Sequence, residues 1–459
     1  MKKIYIVIIL LLIHKICFSA ISASCVWECR ATATAGNLNG GGFVSGGGGT
    51  DYSLQDSAED NGTDLACSDG DATSPVVSSA THNFVAADVG NIIHITAGTG
   101  WTVGWYEIIS VESNNATLDR ACGNDGSISS GTWYEGGAIS LASTLDDEFF
   151  EQMVAGQTCW IKAGTYTQTE NVSLTADGTS SLMINVKGYN LNRGDNPTGT
   201  NRPLITAGAY AFAFDDYWKV KNFRITGTAS NFTRCDSNSK MKNCYILNDS
   251  GTADRYAIGT AGGRIMKCEV SSTNGYAIQH YGNTEIYCCY IKDSKVGIKV
   301  DGNRAVIINS SIDTCTTGID FVANDGGIIV GNTIYNCTTG VSGTTADGIL
   351  FINNIFSECT TGLNWSNVYD NIIFDNNCLN NSTNLTNVTE GDDCVTSDPL
   401  MNNPGSGDFT VQSGSPILDT GIQIDTSIGV TGDYKINIGI DQDDNTASGG
   451  GGFGFFTAD

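Results

Sequence analysis

The stretch from Asn243 to Leu363 constrains the fold more than any other feature, because it repeats itself. An apolar position recurs at Ile246, Val270, Ile291, Ile312, Ile334 and Ile355, at spacings of 24, 21, 21, 22 and 21 residues. A second series, Ile258, Ile278, Ile298, Ile319, Val341 and Leu363, follows at 20, 20, 21, 22 and 22. A small residue precedes each member of it: Ala257, Ala277, Gly297, Gly318, Gly340 or Gly362. A fixed period of this length is the signature of a solenoid, in which each repeat buries its apolar face against the next. A coil of about 22 residues accommodates three short strands and three turns, and β-branched side chains suit a parallel sheet buried on its inner face. The leucine-rich repeat has a similar period but needs Leu at three positions per repeat, where this stretch offers Ile, Val, Thr and Cys.

Polar and sulfur residues follow the same period. Cys244, Cys268 and Cys289 each lie two residues before a first-series aliphatic, and Cys315, Cys337 and Cys359 each open a C-T-T-G segment. Rungs about 4.8 Å apart would stack them as inward ladders of small apolar thiols. Ser310, Asn332, Asn353 and Asn377 continue the first cysteine position, where side-chain amides can pair from rung to rung. Sixteen cysteines would suit disulfides in an exported chain. Neighbouring rungs are close enough for a bridge, but packed thiols are expected in the rows. Cys25, Cys29, Cys67, Cys122, Cys378 and Cys394 remain as the expected bridge formers. Zinc is not expected, because only His82, His94 and His280 remain after signal removal and none stands at a ligand spacing to a cysteine pair.

Lys2 and Lys3, an apolar run from Ile4 to Ile13 and small residues from Ser19 to Ser24 read as a secretory signal over 1–24. Cys25 lacks the Leu three residues upstream that a lipobox needs, since Ser22 stands there. No later stretch offers about 18 consecutive apolar residues, so no membrane span is expected after signal removal, and a secreted or cell-surface location is. The formal net charge of −26 argues against general nucleic-acid binding. It also predicts repulsion of a polyuronate unless Ca²⁺ bridges the two.

Residues 25–74 read as a glycine-rich linker or arm, with Gly36–Thr50 almost free of bulky residues. Alternating apolar runs within 75–141 predict a small β module. Ser143–Gly156, with Leu145, Phe149 and Met153 on one stripe, predicts a cap helix within 142–157. Strands follow over 158–395, then a closing segment and an acidic, glycine-rich tail over 396–459.

The first pieces of that strand region are Cys159–Tyr166 (C-W-I-K-A-G-T-Y), Leu182–Tyr189 (L-M-I-N-V-K-G-Y) and Arg202–Ile205 (R-P-L-I). They resemble the opening coils of right-handed parallel β-helix proteins of the pectin-lyase-like superfamily. Ser397–Leu400, Gly407–Phe409 and Ser413–Gly421 resemble the closing segment of such chains. The resemblance implies an all-β, right-handed parallel β-helix of about ten coils. It leaves function open, since that scaffold carries lyases, hydrolases, epimerases, adhesins and phage tail proteins. The N-T-D, D-D and G-H-G set of its pectin hydrolases is absent, as is the pectate-lyase signature around a base arginine.

Three readings of function follow: binding or presentation to extracellular polysaccharide, a uronate lyase or epimerase, or a structural or adhesive surface or virion component. β-Elimination needs a base and a cation that acidifies the α-proton. Lys292, Lys299, Arg255 and His280 are the candidate bases, and Asp293, Asp301 or Glu269 the candidate Ca²⁺ ligands. His280 aligns with Val300 and Phe321, so a structural, inward position is its alternative. Tyr245, Tyr290, Tyr256, Tyr276 and Trp365 are candidates for stacking on glycan rings, or for packing under loops. Asp441, Asp443 and Asp444 could hold Ca²⁺ or form a solvated acidic turn.

Overall fold

A computed structural model describes residues 26–31 and 60–421, the latter with short breaks of which 141–149 is the longest. The signal segment, the glycine-rich run and Asp441, Asp443 and Asp444 lie outside the described residues. So does most of the expected cap helix, of which Phe150 and Met153 are described and buried. The chain divides into two compact units, one built mainly from residues up to 142 and one mainly from Val186 onward.

In the first unit, six antiparallel strands close into a barrel: Asp60–Cys67, Val76–Ser78, Ile92–Ala97, Gly104–Glu112, Asn115–Leu118 and Ile128–Gly136. Closure removes the exposed edges that a small sheet would otherwise present. Leu65, Val77, Phe84, Ile93, Ile95 and Trp133 fill it. Its first strand falls in the stretch read from sequence as an arm, because polar Asp60–Asp64 carries no alternation to mark it.

The second unit is a parallel β-solenoid. Sheets B and C have ten strands each, B from Thr165–Gln168 to Cys378–Asn380 and C from Ser173–Leu174 to Thr383–Thr386, and sheet A runs beside them through one strand per coil from Thr158–Lys162 to Ile373–Asp375. The second apolar series stacks in register inside sheet C, from Ile258 through Ile278, Ile298, Ile319 and Val341 to Leu363. Gly297, Gly318 and Gly340 also face inward, where an added Cβ would lie 2.5 Å from the carbonyl oxygen of the next rung.

The first series slips by one residue at its end. Ile334 pairs with Phe356, and Ile355 pairs with Thr333 on the opposite face. A one-residue slip exchanges the two faces of a strand. The asparagine ladder therefore runs Ser310, Asn332, Asn354, Asn377, and not through Asn353. Asn332 and Asn354 donate Nδ2 to the next Asn Oδ1, each at 3.0 Å, and to the carbonyls of Ile307 and Ile329 at 2.9 and 2.8 Å. Asn353 occupies the corner before it at φ 56°, matched by Asn243, Asn309 and Asn376 at 53°, 49° and 50°. Asparagine is among the few side chains that tolerate this left-handed region.

No cysteine among the described residues forms a disulfide, although Cys29, Cys67, Cys122, Cys378 and Cys394 are expected from sequence to bridge. Burial pushes the thiols of Cys244 and Cys268 far above their ordinary range, so this row packs as apolar sulfur.

Candidate functional site

The residues proposed from sequence fall on separate faces and do not converge. Lys292 points out from sheet B, 3.0 Å from Glu269 and 4.9 Å from the Tyr290 ring centroid. Burial pulls its ammonium down, but the hydrogen bond and charge of Glu269 outweigh that and hold it above the ordinary lysine value. A lysine held charged is a poor base. Lys299 lies outward on sheet C, over the Tyr276 ring at 4.8 Å and 3.8 Å from Asp301. Arg255 is exposed just before the sheet C strand Tyr256–Thr260. His280 faces inward with no exposed surface, in line with Thr260 and Val300, and burial lowers it to about 4. It cannot reach a ligand.

The aromatic candidates are also largely absorbed by packing. Trp365 is fully buried against Phe321 and Phe351. The hairpin of Met401–Asn403 and Asp408–Val411 lays Phe409 on Tyr290 and Tyr335, at centroid separations of 6.2 and 5.9 Å. Tyr256 and Tyr276 pack with Val296 into one buried cluster on sheet C. Tyr245 stays half-buried on sheet B beneath Arg224.

What the fold does assemble is a basic face on sheet A. Strands Trp218–Lys221, Lys240–Lys242 and Arg264–Met266 are neighbours, and their inward residues Trp218, Val220, Met241 and Ile265 are fully buried. Alternation then turns Lys219, Lys221, Lys240, Lys242 and Arg264 outward. Lys219 pairs with Lys240, Lys240 with Arg264, and Lys221 with Lys242. Lys162 and Lys187 continue the face on the two preceding strands. All seven cations are half-buried, their stems lying along the sheet. Among the described residues Lys219 and Lys240 make no ion pair, whereas Arg264 is held by Glu285 on the next rung. Burial, then Arg264 and Lys219, lower Lys240 below the ordinary lysine range.

Beyond Glu285 the same outward row becomes apolar: Val306, Ile328, Leu350 and Ile373. An acidic turn borders the basic end. Asp236 closes a turn onto Ser239, which leads directly into Lys240, and Ser239 Oγ donates to the carbonyl of Asp215. Burial raises the Asp236 carboxyl, aided by the charges of Asp215 and Asp216 and opposed by Arg234. Its Oδ1 is buried without a hydrogen-bond partner. Asp215 and Asp216 lie near enough to raise the Asp236 carboxyl, but among the described residues these three carboxylates do not bring their oxygens within 4.8 Å of one another.

The signal for this face was present in the sequence as W-K-V-K, K-M-K and R-I-M at the coil period. Overall acidity masked it, because net charge sums over the chain while a ligand meets one face.

Residues 257–427 match the family model described as the right handed beta helix region. The solenoid is a right-handed β-helix. The resemblance read from its opening and closing segments therefore holds at the level of the fold. A comparison with curated proteins gives no significant match. Among solved structures the β-helix chain is similar to pectate lyase Pel9A, at 13% identity and TM-score 0.46, over 67% of this chain and 91% of that one. It is similar to an alginate lyase from Paenibacillus sp. str. FPU-7, at 14% and 0.36, over 54% and 95%. A mannuronic acid specific polysaccharide family 6 lyase from human gut microbiota gives 12% and 0.27, over 55% and 88%. These are likenesses of fold. No helix among the described residues is long and apolar enough to cross a membrane.

Proposed function

We propose that the β-helix binds an anionic, uronate-type polysaccharide along the outer face of sheet A, in the extracellular setting read from residues 1–24. One observation carries this reading: cations are stacked in register on neighbouring rungs, Lys219 on Lys240 on Arg264 and Lys221 on Lys242. Like charges placed directly opposite destabilise a sheet, and among the described residues no ion pair offsets Lys219 or Lys240, so this pair works against folding and in favour of a polyanionic ligand. The acidity of the rest of the surface disfavours densely charged nucleic acid and leaves a linear chain with one carboxylate per sugar as the fitting partner. Retention of the full-length protein on immobilised polygalacturonate or alginate, weakened by salt and by Lys219→Met with Lys240→Met, tests it.

Lys240 favours a second reading, cleavage of the same polymer by β-elimination. An ammonium lowered by burial and by Arg264 is closer to a working base than an ordinary lysine. A Ca²⁺ ion brought by the uronate itself would acidify the α-proton. Unsaturated product absorbing in the ultraviolet, formed with Ca²⁺ and lost in Lys240→Met, would replace binding alone with this reaction. Salt-sensitive retention without product supports binding alone.

A further inference from the structure

The barrel holds a separate group of titratable side chains that glycan binding does not use. His82, Asp88 and Glu135 bring one ligand atom each to within 4.8 Å of the others. His82 Nε2 stands 3.1 Å from Glu135 Oε2 and 3.7 Å from Asp88 Oδ2. Asp88 is 4% exposed and Glu135 1% exposed. Glu135 lies on the last barrel strand, Ile128–Gly136, while His82 and Asp88 come from the connection after Val76–Ser78.

That connection is fixed before any ligand arrives. The Asp64 carboxylate accepts hydrogen bonds from Ser79 Oγ, the Ala80 and Thr81 amides, Thr81 Oγ1 and Trp133 Nε1. Ser79 Oγ in turn accepts from the His82 amide at 3.0 Å. The imidazole meets the Phe84 ring edge-on at 4.7 Å and lies 5.5 Å from Trp133. Asp88 Oδ2 accepts from the Val85 amide at 2.7 Å. His82 and Asp88 are thus held by their neighbours on a fixed connection facing Glu135, as a preorganised ligand set requires.

Two carboxylates out of water and this close carry two negative charges, and a protonated His82 would offset one of them. A divalent cation offsets both. A tetrahedral ion with metal–ligand bonds of about 2.0–2.1 Å has edges of about 3.3 Å between its ligands. The separations of 3.1 and 3.7 Å fall on either side of that value. Imidazole beside carboxylates selects a first-row transition ion over Ca²⁺, which takes oxygen ligands.

We propose that His82, Asp88 and Glu135 form a site for one divalent first-row metal ion, zinc foremost, that ties residues 79–88 to the last barrel strand. The test uses the full chain, stripped with a chelator and titrated with ZnCl₂ in a calorimeter, with metal content measured after desalting. The wild type should take up one more zinc per chain than Glu135→Gln or His82→Ala, and only the wild type should gain several degrees in melting temperature. Co²⁺ in place of zinc should quench Trp133 fluorescence in the wild type alone. Asp88→Asn supplies the same comparison if Glu135→Gln does not fold. Equal zinc uptake by the wild type and a folded variant would overturn the proposal. So would a wild type that takes up no zinc and simply loses stability as pH rises through the histidine range, which would mark a His82–carboxylate ion pair.

Discussion

Replacing Lys240 with Met separates a functional lysine row from a structural one, because the two readings give opposite signs. Met keeps an unbranched stem against the sheet and removes the charge. Lys240 stands directly between Lys219 and Arg264, so the change relieves two like-charge pairs. At roughly 0.5 kcal/mol per opposed pair, the protein should gain about 1 kcal/mol of stability. Binding should move the other way. An exposed ammonium–carboxylate contact contributes at most about 1 kcal/mol, so Lys219→Met with Lys240→Met should lose up to about 2 kcal/mol, or roughly 30-fold in affinity. Urea unfolding measures the first effect, and calorimetric titration with a size-defined oligouronate at low salt measures the second. Lys292→Met and Lys299→Met, on sheets B and C, serve as controls and should bind within about twofold of the wild type. Unchanged affinity in the double variant, or a loss of stability instead of a gain, would refute the argument. The sign also carries to pH. Lys240 is lowered in the folded chain, so its charge costs stability at neutral pH, and the cost disappears as pH rises through its folded value. A bound polyanion should reverse that shift and cause proton uptake on binding at alkaline pH.

Other perturbations test the frame that positions this face. Asn354→Ala removes bonds to Ile329, Ile352 and Asn377 and leaves the Asn332 amide without its acceptor, so it should cost about 3 kcal/mol in urea unfolding. His280 is neutral and buried with a value near 4, so its share of stability is complete above about pH 6.5 and falls by about 1.4 kcal/mol per unit toward pH 4. His280→Val should flatten that part of the stability–pH curve. Phe409→Ala should cost roughly 3 kcal/mol and expose 396–421 to limited proteolysis, because its ring bridges Tyr290 and Tyr335.

The sequence by itself determined the solenoid. A stacked coil repeats its environment, so apolar, small and thiol positions must recur at the coil length, and Ile258 to Leu363 could be placed on one inner row from spacing alone. Corners were less legible, because a turn can gain or lose a residue without disturbing the period much. One slip before Phe356 exchanged Asn353 for Asn354 and turned Ile355 outward. Tertiary structure alone decided which side chains remain free. It put Phe409 over Tyr290 and Trp365 into the core, and it split Lys292 from Lys299 onto different sheets. It also gathered Lys219, Lys240 and Arg264, 21 and 24 residues apart in the chain, onto adjacent rungs. His82, Asp88 and Glu135 meet only because the barrel closes. Burial and charge proximity are properties of contacts, and contacts between distant residues are what a linear pattern does not contain.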